Sequence, residues 1–138
     1  MVTINATREV SAPLDRVWEI VSAVDNEPNY WRGLNSVSNI NKNGNVIERE
    51  VTVGFRNSKG YQKVVLNPKK SIEITMTKGP MIGTKITILS QSSDNKTKID
   101  VSWNVEKWNV PFLARNIVQN QIKESTKEAL NKIAAEVE

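Results

Sequence analysis

Residues 12–37, APLDRVWEIVSAVDNEPNYWRGLNSV, decide the fold because the spacing of their apolar residues changes from helical to strand-like. The apolar residues at helical spacing are Val17, Ile20, Val21 and Val24. They predict a short amphipathic helix over about 13–23. The following DNEPNYWRG predicts a second short helix or turn that ends at Gly33. After Gly33 apolar side chains alternate with polar ones, as in strands that bury one face.

Strand-like alternation also precedes this stretch, over residues 2–10, and continues after it as far as residue 106. The predicted later strands cover about 34–41, 46–56, 61–67, 71–78, 82–91 and 97–106. The breaks between them are short and rich in Asn, Gly, Pro and Lys. Only hairpins can join strands across such short breaks, so the sheet is predicted to be antiparallel.

The last part of the chain predicts one long helix over about 110–137. Its predicted apolar face consists of Val110, Leu113, Ala114, Ile117, Val118, Ile122, Ala129, Ile133 and Val137. A sheet must bury one face, and this helix is the element that can cover it. The sequence therefore predicts one α+β domain over 1–138. About seven antiparallel strands form a strongly bent sheet wrapped on the C-terminal helix, with two short helices between the first two strands.

The composition excludes several kinds of catalytic site. The 138-residue chain has no cysteine and no histidine, which excludes disulfides, thiol nucleophiles, Cys-based zinc sites and His general bases. No Asp/Glu cluster has metal-ligand spacing and no Gly-rich phosphate loop occurs, so we expect neither a metal nor another cofactor. The acids, Glu27 among them, are predicted on outward strand faces, polar helix faces or loops. No catalytic residues are therefore predicted.

The charge pattern bears on partners and location. The net charge is +4, but most lysines fall in predicted turns or on outward strand faces among acids. This favours a solvated basic surface over a nucleic-acid site, which needs a clustered stripe or stacking platform. No apolar run approaches the length of a membrane span, and the first residues lack the pattern of a signal peptide. We expect a cytoplasmic protein, monomeric or weakly dimeric, without membrane insertion.

The order of elements and residues 12–37 resemble the helix-grip SRPBCC superfamily. That superfamily includes START domains, Bet v 1-like proteins and the polyketide cyclase/dehydrase and coenzyme Q-binding group. The residues that match its packing pattern are Ala12, Pro13, Val17, Trp18, Asp25, Tyr30, Trp31, Val37 and Ile40. The resemblance in topology covers nearly the whole chain. It implies a cavity between the long helix and the sheet that holds lipids, sterols, quinones, polyketides or other apolar molecules.

Alternation along each strand predicts which side chains face the interior. The inward residues are Ile47, Arg49, Val51, Val53, Phe55, Val64, Leu66, Ile72, Ile74, Met76, Ile82, Thr84, Ile86, Ile88, Ile99, Val101, Trp103 and Val105. The outward residues are Glu48, Glu50, Thr52, Glu73, Thr75, Lys85, Thr87, Lys98, Asp100 and Glu106. The predicted ligand contacts are Tyr30, Trp31, Arg49, Val51, Val53, Phe55, Met76, Thr84, Ile86, Trp103, Leu113, Ile117 and Gln121. A filled core that uses the same side chains is the alternative.

Two features of this interior have alternative explanations. Arg49 shares the face of Ile47 and Val51, where a lone buried cation is unfavourable. It needs a ligand carboxylate, phosphate or carbonyl, an acid from another element, or an exit to solvent at the sheet edge. Trp31 is predicted to face inward and close the space between sheet and helix, and Tyr30 to keep its hydroxyl near water. Each ring either fills this space structurally or contacts the ligand directly.

The prediction is binding of a small hydrophobic or amphipathic molecule in this cavity. The alternative is an enzyme of the polyketide cyclase type, with Arg49 and Tyr30 as the only polar participants. A third possibility is a protein-interaction module that exposes Trp108 and Phe112 before the last helix. Those two residues would otherwise form a hydrophobic seam at the start of that helix.

Overall fold

A seven-stranded antiparallel sheet and a long C-terminal helix make up most of the computed structural model, which describes residues 2–138. The strands are β1 (Val2–Val10), β2 (Leu34–Asn43), β3 (Val46–Val53), β4 (Ser58–Asn67), β5 (Ser71–Lys78), β6 (Met81–Ser93) and β7 (Lys96–Trp108). The α-helices are α1 (Leu14–Val21) and α2 (Arg115–Val137), and short 3-10 helices cover Val24–Asn29, Phe55–Asn57 and Phe112–Ala114.

The strands lie in the order β1-β7-β6-β5-β4-β3-β2. Six consecutive strands pair as hairpins, and β1 returns to pair with the last strand, with Ile4 opposite Trp103. Helix α2 packs on one face of this sheet and also contacts α1. This is the helix-grip fold, with the two short helices between β1 and β2 as predicted.

The core lies between α2 and the covered face of the sheet. The buried residues of α2 recur at helical spacing: Val118, Ile122, Ser125, Thr126, Ala129, Leu130, Ile133, Ala134 and Val137. Facing them are residues of alternate strand positions, such as Ile74 on β5 and Ile99 and Val101 on β7. The predicted inward faces of β5 and β7 are thereby confirmed.

The predicted inward face of β6 is wrong. Lys85, Thr87 and Leu89 are buried, whereas Ile88 is 48% exposed. Thr84 and Ile86 also lie on the opposite, outer face, because they alternate with these buried residues. The pattern misleads because isoleucines occupy the outer face of this strand, while a lysine and a threonine occupy the inner one.

A β-bulge in β7 lies opposite the start of β6. The pairing with β7 shifts between Ile82 and Gly83, and Gly83 lies directly against the partner strand. A Cβ on Gly83 would be only 1.9 Å from the carbonyl oxygen of Asn104, so only glycine fits there. Beyond the bulge Lys85 lies opposite Trp103 on β7 and Ile74 on β5, both of which are buried.

The beginning of the C-terminal helix also differs from the prediction. Pro111 precedes a 3-10 turn, and α2 begins only at Arg115. Leu113 and Ile117 are 87% and 60% exposed, so their predicted place on the buried face is wrong. Burial along α2 starts at Val118, and the three helical residues before it are exposed.

Candidate ligand-binding site

A cavity of about 140 Å³ lies between the covered face of the sheet and α2. Its buried lining residues are Glu27, Trp31, Arg49, Val51, Gly60, Ile74, Met76, Lys85, Trp103, Val118, Ile122 and Ser125. More accessible residues complete the lining and mark its mouth: Arg32, Gly33, Leu34, Val53, Phe55, Gln62, Lys78, Pro80, Met81 and Gln121. The volume resembles that of an engineered cavity of about 150 Å³ that accommodates benzene. A single ring or a short alkyl segment therefore fits inside.

Most of the predicted contact residues line this cavity. They are Trp31, Arg49, Val51, Val53, Phe55, Met76, Trp103 and Gln121. Strand β3 ends at Val53 instead of continuing to residue 56 as predicted. Phe55 therefore lines the cavity from the 3-10 turn that follows the strand. Residues of alternate positions on β3, β5 and β7 face the cavity, and the pairing of the strands brings them together although they are far apart in the sequence.

The other predicted contact residues lie elsewhere. Thr84 and Ile86 are on the outer face of β6, and Leu113 and Ile117 are exposed before the buried part of α2. Tyr30 lines a smaller space near α1. Partial burial, followed by the negative charge of Glu136, raises the pKa of the Tyr30 hydroxyl. This side chain is thus beside the end of α2 rather than in the main cavity.

Glu27 is the residue that the sequence prediction missed. It was predicted on a polar surface, but only 8% of it is exposed. Its backbone carbonyl accepts hydrogen bonds from the N–H groups of Tyr30 and Trp31, at 3.0 and 2.8 Å, which close the turn at the end of the 3-10 helix. Its carboxylate receives a hydrogen bond from Arg49 Nη2 at Oε1 and one from Lys85 Nζ at Oε2, the latter at 3.2 Å.

Arg49 is fully enclosed and satisfied by protein groups. It is 1% exposed, and its Nη1 donates to the carbonyl oxygen of Val24 at 3.1 Å. Its Nε and Nη2 donate to Gln62 Oε1 at 3.0 and 2.8 Å, in addition to the bond with Glu27. Of the alternatives raised by the sequence, the acid from another element is the one observed. The signal for it was the inward parity of Arg49, which requires a counter-charge.

Lys85 lies between the two tryptophans of the cavity. Its Nζ is 3.2 Å from the ring centroid of Trp31 and 5.1 Å from that of Trp103. The two rings are edge-to-face, with centroids 6.0 Å apart. Trp103 Nε1 donates to Thr126 Oγ1 of α2 at 3.0 Å, which fixes its ring. The ammonium therefore makes cation–π contacts with the two rings in addition to its ion pair with Glu27.

The protonation of this cluster follows from burial and charge together. Burial alone would raise the pKa of Glu27, but the charges and hydrogen bonds of Lys85 and Arg49 outweigh it and lower that pKa. Burial lowers the pKa of Lys85, and the Glu27 carboxylate offsets only part of this effect. When all three groups are ionised, the cluster has two positive charges and one negative charge.

Other features of the chain bear on the remaining predictions. Among residues 2–138 no group of His, Cys, Asp or Glu has the arrangement of a metal site. None of the described helices is long and apolar enough to cross a membrane. Trp108 is half-buried against the core, whereas Phe112 is 76% exposed. The proposed seam thus involves Trp108 but not Phe112.

Comparison with protein families gives a match over the full length. The profile described as polyketide cyclase / dehydrase and lipid transport matches residues 1–138. The chain belongs to this family. Comparison with curated protein sequences finds no significant match.

Solved structures similar to this polyketide cyclase/dehydrase and lipid transport family member share its fold at low identity. TTHA0849 from Thermus thermophilus superposes with a TM-score of 0.82 at 13% identity, over 99% of this chain and 97% of that one. The Zhui aromatase/cyclase from Streptomyces sp. R1128 has a TM-score of 0.83 at 14% identity, with 99% and 93% covered. A START superfamily protein from Mycobacterium smegmatis has a TM-score of 0.72 at 19% identity, with 98% and 96% covered.

Proposed function

We propose that this protein binds a small amphipathic molecule in the cavity between the sheet and α2. The observation that carries the proposal is a buried charged cluster at the inner end of a cavity whose other walls are largely apolar. Ligand sites combine an apolar lining with a few fixed polar groups in this way. A core filled only for stability would not need Arg49, Glu27 and Lys85 beside its cavity.

The cavity volume restricts which part of a ligand is enclosed. About 140 Å³ suits one ring or a short alkyl segment, and the rest of a larger molecule would extend past the mouth. Lipids, sterols, quinones and polyketide-like molecules all offer such a segment. The family description, which includes lipid transport, supports this range of ligands.

Binding is favoured over catalysis by the state of Glu27. A general base needs an accessible lone pair and a pKa near the working pH. Both oxygens of Glu27 accept hydrogen bonds from cations, and its pKa is lowered from the ordinary value of 4.5. These contacts make the carboxylate a structural counter-ion rather than a proton acceptor.

A cyclase-type enzyme is the second candidate, because an ionisable carboxylate and an amine both line the cavity. The similarity in fold to an aromatase/cyclase also supports it. The two candidates differ in what happens to the bound molecule. A binding protein releases its ligand chemically unchanged, whereas a cyclase converts a linear substrate into a ring with loss of water.

Native mass spectrometry of freshly purified protein tests the proposal. We expect a stoichiometric adduct on the wild type, which denaturing extraction releases for identification. A Val53→Trp variant should lose the adduct, because Val53 lines the accessible part of the cavity. A Val65→Trp variant is the matched control, because Val65 lies on β4 between the inward Val64 and Leu66 and does not line the cavity.

The possible results separate the alternatives. An adduct that is lost only in Val53→Trp supports binding in this cavity. An adduct retained by both variants would place the ligand elsewhere and overturn the proposal. If the extracted molecule is a linear polyketide and incubation with the protein converts it into a cyclised product, the protein is an enzyme instead. The same spectra test the prediction of a monomer or weak homodimer.

A further inference from the structure

We propose that Lys85 binds the carboxylate of an acidic ligand whose ring or short alkyl chain occupies the cavity. The inference rests on the proposed binding function and names the chemical class of the ligand. It follows from three features of the cavity: the hydrogen-bonding capacity of Lys85, the charge of its cluster, and the arrangement of polar and apolar walls.

Lys85 lies against the rings of Trp31 and Trp103, but only one of its N–H donors has a protein oxygen as acceptor. An ammonium group carries three N–H donors, and within residues 2–138 this one makes a single hydrogen bond, to Glu27 Oε2 at 3.2 Å. Arg49, in contrast, directs its guanidinium at Glu27, Gln62 and Val24. Lys85 is 5% exposed and lines the cavity, so a ligand oxygen in the cavity is within reach of a donor that the protein leaves without an oxygen acceptor.

The charge of the cluster favours an anion. When Lys85 is protonated, it and Arg49 together have two positive charges, and Glu27 is the only carboxylate that pairs with them among the described residues. An excess positive charge in a buried site is unfavourable unless a counter-charge is present. A singly charged carboxylate neutralises this excess, whereas a dianionic phosphate would replace it with a negative one.

The walls of the cavity set the orientation of the acid. Trp31 and Trp103 flank Lys85 at the buried end, and Met76 of β5 is a further buried residue of the lining. Phe55 and Met81 are more accessible and lie toward the mouth. An aromatic or short-chain acid thus enters with its carboxylate first, and its apolar end points to the mouth.

Isothermal titration with 4-butylbenzoate and 4-butylbenzamide tests the inference, because the two probes differ in head-group charge but hardly in shape. Wild type should bind the benzoate about tenfold more tightly or better, as expected for a charge-assisted hydrogen bond. Lys85→Met should lose this preference by weakening the benzoate alone. It leaves the Glu27–Arg49 pair neutral and replaces Lys85 with a side chain of similar length.

Lys63→Met is the matched control, since Lys63 is exposed on β4 and does not line the cavity. This variant should keep the preference for benzoate. If wild type binds both probes equally and Val53→Trp weakens both, the binding function holds and the role of Lys85 is overturned. If neither probe binds wild type at millimolar concentration and no adduct is found, both proposals fail. If Lys85→Met does not fold, the wild-type ratio decides, and Lys85→Arg should preserve it.

Discussion

Glu27 connects the 3-10 helix to the sheet through its contacts with two buried cations, Arg49 and Lys85. Its removal would leave both buried cations without their shared counter-charge. Buried ion pairs contribute little relative to apolar residues of equal volume, but a pair broken on one side is strongly destabilising. Replacing Glu27 alone is therefore expected to destabilise the fold strongly.

We predict that Glu27→Gln lowers the free energy of unfolding by about 3–5 kcal/mol, measured by urea denaturation. Glu50→Gln is the control, because Glu50 pairs with Lys59 at 3.7 Å on the accessible side of the sheet. An exposed pair of this kind contributes at most about 1 kcal/mol. Equal losses in the two variants would contradict the role assigned to Glu27.

The same carboxylate predicts how stability depends on pH. The charges of Lys85 and Arg49 outweigh burial and lower the pKa of folded Glu27 below 4.5, so the unfolded chain binds a proton first as the pH falls. The stabilisation is therefore complete above the unfolded pKa and is lost as the pH falls through the folded one. We expect the difference in unfolding free energy between wild type and Glu27→Gln to shrink as the pH falls from about 5.5 into acid. A difference unchanged down to about pH 3 would refute this account.

Trp31 closes the cavity between sheet and helix, with 8% of its surface exposed. Its ring contacts the Lys85 ammonium and meets Trp103 edge-to-face. We predict that Trp31→Ala lowers the free energy of unfolding by about 3–5 kcal/mol and enlarges the cavity. Trp108→Ala, at a half-buried position away from the cavity, should have a smaller effect. A loss well under about 1 kcal/mol for Trp31→Ala would show that the ring does not support the core.

At the scale of elements, β6 determines which side chains enter the cavity. The bulge between Ile82 and Gly83 precedes the segment that presents Lys85 to the interior. Glycine is required there because a side chain would meet the carbonyl oxygen of Asn104. Gly83 therefore allows β6 and β7 to approach closely two residues before Lys85.

We predict that Gly83→Ala lowers the free energy of unfolding by more than about 2 kcal/mol, because the bulge must rearrange to admit a Cβ. Gly54→Ala is the control, since its nearest backbone atom, Cα of Gly33, would be 3.4 Å from the new Cβ. That change should stay within about 0.5 kcal/mol. Thermal denaturation compares the two variants, and a tolerated Gly83→Ala would show that the bulge is adaptable.

The contrast between strands explains how much the sequence could predict. On β5 and β7 nearly all large apolar residues share one parity, so the inward face and the cavity wall could be predicted correctly. On β6 the isoleucines lie on one parity and Leu89 on the other, so residue type alone could not identify the buried face. The pairing of Glu27 with Lys85 joins residues 58 positions apart and depends on how the 3-10 helix meets β6. Local periodicity contains no information about such a contact.

At the scale of the whole molecule, the cavity joins parts of the chain that come together only in the folded state. The 3-10 helix supplies Glu27, the turn after it supplies Trp31, β6 supplies Lys85, and α2 supplies Ile122. Thr126 of α2 also accepts the hydrogen bond from Trp103 of β7. A molecule bound among these elements contacts the sheet and the helix at once, so it should bind the folded state and not the unfolded chain.

Ligand binding should therefore raise the melting temperature. At one hundred times the dissociation constant, a ligand specific for the folded state adds about 2.7 kcal/mol of stability. For a domain of this size that corresponds to an increase of about 5–11 °C. We expect 4-butylbenzoate to produce this shift in wild type and in Val65→Trp, but not in Val53→Trp, as measured by differential scanning calorimetry. An equal shift in Val53→Trp would mean that the probe stabilises the protein from outside the cavity. Melting reports the cooperative unfolding of sheet and helix together. A shift seen in wild type and Val65→Trp but not in Val53→Trp would therefore show that a ligand in the cavity stabilises the whole fold.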